Sequence, residues 1–91
     1  MRIEAFMTRY EKLLARLMDG EADSNFEFSD LCWLLARIGF RERIRGDHHI
    51  FTLDGLPEII NFQPLGKNAK FYQVRQVRVT ILRYHLHEEK K

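Results

Sequence analysis

An α+β fold is what the order of local patterns along this chain predicts: a three-stranded antiparallel meander covered on one face by helices, with one more helix in front. Three observations carry that expectation. Apolar residues recur at helical spacing in three separate stretches. Three short extended pieces lie between the second and third of these stretches. Turn-forming residues separate the pieces, and an α-β-β-β-α order of this kind is most simply satisfied by a meander with helices on one face.

The first helix reads over residues 2–18, where Ile3, Phe6, Met7, Tyr10, Leu13, Leu14 and Leu17 define one face. Gly20 ends it, and the small, acidic stretch 20–25 reads as a linker. A second helix is expected to begin near Ser29. Serine is a good N-cap, and Asp30 in the first turn suits the helix dipole. Its apolar stripe is Leu31, Leu34, Leu35 and Ile38, and Gly39 closes it. Residues 40–45 alternate, placing Phe40, Glu42 and Ile44 on one side and Arg41, Arg43 and Arg45 on the other. Gly46-Asp47 is turn material. Residues 48–53 form the second strand, ending at Asp54-Gly55, and residues 58–63 the third, broken by Pro64 and Gly66. The last helix is expected over 72–86, with Val74, Val77, Ile81 and Tyr84 buried and Arg75, Arg78 and Arg83 facing water or a ligand. The expected organisation is one domain: a helical extension and linker over 1–25, a core over 26–86 and a charged tail over 87–91.

Composition bounds what such a domain can be. The 91 residues are 45% hydrophobic, with 7 Phe, 3 Tyr and 1 Trp, enough for one packed core and no more. The net charge of +2 averages two unlike parts. Residues 1–30 carry four basic and seven acidic side chains, and residues 31–91 carry eleven and six. The basic remainder points toward an anionic partner. A single cysteine, Cys32, excludes an intrachain disulfide framework and a cysteine-rich zinc site, and it fits a reducing compartment. Cys32 itself reads as a small buried hydrophobe, and Trp33 as packing under the first helix. No apolar run reaches about 18 residues, and the charged N-terminal stretch lacks a signal-peptide core. A cytoplasmic protein with no membrane attachment is expected.

The chemically loaded stretch is 41–51. Histidine is the side chain best suited to proton transfer near neutral pH, and cleavage of an RNA phosphodiester needs a base, an acid and cations for the phosphate. His48 or His49 beside Arg43 and Arg45 could supply these. Strand alternation puts the two histidines on opposite faces. If Phe51 and Leu53 face the helices, His49 shares their side and His48 takes the open one. The commoner role of such a pair is a half-buried, hydrogen-bonded one. Metal binding has less support: His48, His49, His85 and His87 show no ligand spacing, and no cofactor is expected. Gly66-Lys67-Asn68-Ala69-Lys70 before the last helix is a candidate phosphate contact or a plain surface loop. Arg75 and Arg78 are candidates to continue a basic surface.

The stretch Phe-Ser-Asp-Leu-Cys-Trp-Leu-Leu-Ala-Arg-Ile-Gly-Phe at 28–40, followed by Gly-Asp-His-His-Ile-Phe at 46–51, resembles the HicA (YcfA-like) toxin family. Residues 59–64 and 70–78 look like the third strand and last helix of its longer members, so the likeness spans about 26–86. The resemblance implies a fold similar to the double-stranded RNA-binding domain. It also implies a metal-independent endoribonuclease that cleaves mRNA and is neutralised by a HicB-like antitoxin. The family's catalytic histidine maps to His48, with His49 adjacent. Asp47 stands where the family usually has Ser, Thr or Gly, and Phe71 where longer members tend to have Pro. The resemblance leaves two other classes open: a non-catalytic RNA-binding module, and a protein-interaction domain for an acidic partner.

Overall fold

The computed structural model describes residues 6–87. Among them are α1 (Arg9–Asp19), a 3₁₀ turn at Asp23–Asn25, α2 (Phe28–Ile38), β1 (Arg41–Arg45), β2 (His48–Thr52), β3 (Ile60–Phe62) and α3 (Phe71–Arg83). The three strands form one antiparallel sheet in the order β1-β2-β3. The protein is thus a small α+β domain with three helices and a three-stranded antiparallel sheet. Among the described residues no helix is long and apolar enough to cross a membrane.

Helix α1 starts later than the apolar spacing suggests. The Thr8 hydroxyl accepts from the Glu11 backbone N–H and the Glu11 carboxylate accepts from the Thr8 N–H, a capping box that fixes the first turn at Arg9. Phe6 lies before the cap and is exposed. The part of the expected helix over residues 2–5, including Ile3, falls outside the described residues, as do residues 88–91 of the tail.

Helix α2 corrects the capping expectation. Its N-cap is Glu27, with no side-chain cap bond, and Ser29 lies inside the helix. The reason is tertiary. The Phe28 N–H donates to the Lys67 carbonyl and the Ala69 N–H to the Phe26 carbonyl, each at 2.9 Å. A backbone pairing across the molecule thus satisfies one of the free N–H donors of the first turn and starts the helix one residue ahead of Ser29. The same pairing seats Phe26, Phe28 and Ala69 in the core.

Phe51, Ile60 and Phe62 on one face of the sheet share a single buried cluster with Leu31, Leu34 and Leu35 of α2 and Val74, Val77 and Ile81 of α3, and α1 packs on α2 and α3 and adds Leu17. Trp33 is partly buried against this cluster, with the Arg9 guanidinium 4.1 Å from its ring centroid. Strand β3 is shorter than expected. Ile59 points to solvent, and the Glu58 carboxylate accepts hydrogen bonds from Thr80, Arg83 and Tyr84 of the last helical segment. Helix α3 ends at Arg83, short of the expected residue 86, because His85 adopts φ 54°.

Arg78 also departs from the expectation. It is not a solvent-facing residue of α3. Its guanidinium makes a bidentate pair with Asp23 at 2.8 Å and also donates to the Leu17 carbonyl at 3.0 Å. Arg75 stands 3.7 Å from the same carboxylate. Gly20, at φ 80°, brings the chain past this guanidinium: a Cβ there would lie 3.6 Å from Arg78 Nη1. The pair clamps the α1–α2 linker onto α3.

Removing one partner leaves the other poorly satisfied, with side-chain exposures of 19% for Arg78 and 13% for Asp23. Arg78→Met is expected to lower unfolding free energy by about 2 kcal/mol in urea titrations. Hydrogen bonding from Arg78 holds the Asp23 carboxyl below its ordinary value, against the opposing effect of burial. The folded pKa therefore lies below the unfolded one. The stabilisation is complete above the unfolded value of 3.8 and is lost as pH falls through the folded value. In Arg78→Met that part of the acid sensitivity should vanish.

Candidate functional site

The face of the sheet away from the helices is open. Directly opposed residues in antiparallel strands share a face, so Arg41↔Thr52, Arg43↔Ile50 and Arg45↔His48 place their side chains together on it. Asn61 of β3, opposite Ile50, joins them. Arg41, Arg43, Arg45, His48, Thr52 and Asn61 are all exposed and Ile50 is half-buried. Arg41 is ion-paired with Asp54 at 2.7 Å. Among the described residues Arg43 and Arg45 pair with no carboxylate.

The turn that builds this arrangement is Gly46-Asp47. Gly46 has φ 60° and Asp47 a negative φ, the pattern of a type II′ hairpin, in which glycine takes the first central position. A two-residue loop locks Arg45 against His48. Asp47 is turned outward and accepts from Gln63 Nε2 at 2.9 Å, which ties the hairpin tip to the end of β3. That hydrogen bond chiefly holds the Asp47 carboxyl below its ordinary value, with smaller contributions from the charges of His48 and Lys70.

His48 is oriented by Asn61. Nδ1 lies 3.1 Å from Asn61 Oδ1. With the amide oxygen as acceptor, Nδ1 carries the proton and Nε2 keeps its lone pair, directed away from the amide. An imidazole held at one nitrogen and placed opposite Arg45 has its other nitrogen free to meet a bound anion.

His49 does not share this site. It points to the helix face, its ring 4.8 Å edge-to-face from Phe28, and its Nδ1 is 2.6 Å from Glu42 Oε2. Cys32 of α2 lies beside them, and its thiol is pushed up to about 12 by burial and by the Glu42 charge. Cys32 is thus half-buried rather than fully buried. Glu42 and Ile44 are exposed although their strand positions face the helices, because β1 is an edge strand with a neighbour on one side only.

The lysine segment lies at the side of the sheet, with Lys67 exposed and Lys70 at the N-cap of α3. Its backbone is committed to the segment that leads into α2, the Lys67 carbonyl to the Phe28 N–H and the Ala69 N–H to the Phe26 carbonyl. The α3 arginines are on the far side of the core. Arg78 is held by Asp23, Arg75 lies over Phe71 at 5.1 Å, and Arg83 pairs with Glu58. The structure therefore brings together Arg41, Arg43, Arg45 and His48, and separates them from His49, Arg75 and Arg78.

The sequence reading gave no functional role to three residues here. Asn61 and Gln63 become visible only once β3 is registered against β2. Glu42, two residues from the cross-strand partner of His49, follows from the β1–β2 register. Comparison with protein-family models, curated proteins and solved structures finds no match for this chain.

Asn61→Leu is expected to release the His48 ring while leaving the fold intact, since Asn61 is exposed. Nitrogen-15 correlation spectra of the imidazole should then show the Nδ1–H tautomer giving way to Nε2–H. An unchanged tautomer would mean that Asn61 does not orient the ring.

Proposed function

We propose that this chain is a HicA-like endoribonuclease toxin built on a fold like that of the double-stranded RNA-binding domain, acting on mRNA in the cytoplasm. The observation that carries the reading is His48 on an open sheet face, opposite Arg45 and beside Arg43, with Nδ1 held by Asn61. The motif resemblance over 28–40 and 46–51 supports the same assignment, and so does the α-β-β-β-α order of α2 to α3.

In this reading a backbone phosphate of RNA rests on Arg43 and Arg45, with Lys67 and Lys70 taking neighbouring phosphates. His48 Nε2 removes the proton of the adjacent 2′-hydroxyl. The 2′-oxygen attacks phosphorus, the bond to the 5′-oxygen breaks, and the imidazolium returns its proton to that leaving oxygen. A 2′,3′-cyclic phosphate and a 5′-hydroxyl result. The arginines stabilise the charge that builds on the phosphoryl oxygens. Asp47, fixed on Gln63, stands at the rim of the face, where it narrows the positive surface to Arg43, Arg45 and the lysine side. A HicB-like antitoxin would neutralise the toxin by covering this face.

The test is incubation of the purified chain with mRNA. Wild type should cut it, and His48→Ala should be slower by about 10²–10⁴-fold, the usual value of a positioned acid–base group. His49→Ala should keep far more activity, because its ring lies on the other face. Binding that survives in His48→Ala, with no cleavage by wild type, would favour an RNA-binding module. Absence of both binding and cleavage would leave a protein-interaction domain.

Binding should also weaken with salt. Arg45→Gln is expected to reduce the slope of log affinity against log salt by about 0.7, the value for one phosphate contact on a single strand. Arg78→Met should leave that slope unchanged once the variant's folded fraction is accounted for.

A further inference from the structure

The helix-facing side of the hairpin holds a second cluster that the RNA reading does not use. Cys32 comes from α2, Glu42 from β1 and His49 from β2, and one donor atom from each lies within 4.8 Å of the others. We propose that these three side chains form a binding site for a thiophilic divalent cation of the zinc type.

The chemistry of the donor set selects the ion. A thiol sulfur and an imidazole nitrogen beside one carboxylate suit zinc and related borderline-soft cations. Calcium and magnesium, which favour oxygen, are poorly served. The charge balance agrees. Cys32 as thiolate and Glu42 as carboxylate neutralise a divalent ion, and His49 binds as the neutral ring. Among the described residues Glu42 has no lysine or arginine ion pair, in a chain with 15 such residues, and His49 is its one ionic partner.

The geometry is near what is required. Bonds of about 2.0–2.3 Å to a tetrahedral zinc set its ligand atoms roughly 3.3–3.6 Å apart. His49 Nδ1 and Glu42 Oε2, now 2.6 Å apart, would have to spread, and every donor atom already lies within 4.8 Å of the others. Cys32 would lose its proton to solvent, and the His49–Glu42 hydrogen bond would be exchanged for two metal bonds. Phe28 walls the site on one side through its edge contact with His49. The other side is open, because the Glu42 side chain is 34% exposed. Three protein ligands and an open position leave room for a water molecule as the fourth. The bound ion would join α2 to both strands of the hairpin.

The experiment uses the full chain, freed of metal with a chelator. Zn²⁺ is titrated by calorimetry and Co²⁺ by absorption spectroscopy. One equivalent should bind, with thiolate-to-cobalt charge transfer and the intense visible bands of a four-coordinate ion. Cys32→Ser should abolish the charge-transfer band. Glu42→Gln, on an exposed strand position, should weaken Zn²⁺ binding by more than about tenfold. The double variant His85→Ala/His87→Ala should bind as wild type does. Circular dichroism checks that each variant is folded, and Glu42→Gln decides the matter if Cys32→Ser is not. Absence of saturable binding overturns the proposal. So does a spectrum without the thiolate band, or an affinity unchanged in Glu42→Gln.

Discussion

The register of the β1–β2 hairpin is the constraint on which the rest of this molecule depends. Gly46 takes a backbone conformation that a side chain would resist, and the two-residue loop it allows sets Arg45 against His48. Side chains along a strand alternate with a period of two, so a slip of one residue would exchange every inward group for an outward one. Phe51 would leave the core and His48 would enter it. The same pairing that buries Phe51 therefore gives the open face its imidazole and guanidinium groups. Core formation and site formation are one event here, because the buried and the exposed residues of β2 interleave.

Much of this was legible in the chain. The alternation over 40–45 and the turn at Gly46-Asp47 were enough to place the three arginines on one face and to separate His48 from His49. The helical stripes around Leu34 and Val77 were equally plain, since apolar spacing is a local property. What was not legible came from contacts between distant segments. Ser29 looks like a cap because serine is a good one. The chain instead satisfies the start of α2 with the Lys67 carbonyl, thirty-nine residues on from Phe28. Arg78 looks like a surface residue because it lies off the apolar stripe, and only the fold brings Asp23 to it. Asn61 carries no signal of its own in the sequence and gains its role from the residue diagonal to it on β2.

The two anchors of the helical layer divide the work between them. Backbone bonds from the segment around Lys67 and Ala69 hold the start of α2, and the Arg78–Asp23 pair holds the linker that precedes it. Neither uses a side chain of the open face. The sheet can therefore present polar residues to solvent on that face without the helices depending on them. The acidic character of residues 1–30 also finds a structural use in this layer. Asp23 neutralises arginines of α3, and Asp30 pairs with Arg9. The excess positive charge is left to the sheet.

The exposure of β1 has a bearing on solubility. An outer strand offers unpaired backbone groups to any other strand that comes near, and such edges seed aggregation. All five residues of β1 are exposed, and four of them are charged. Two copies of this strand approaching edge to edge would have to bring rows of guanidinium groups together on one surface, where like charges oppose pairing. The arginines that make the open face positive thereby also oppose the pairing of one β1 with another. Neutralising several of them at once would remove that protection along with the charge.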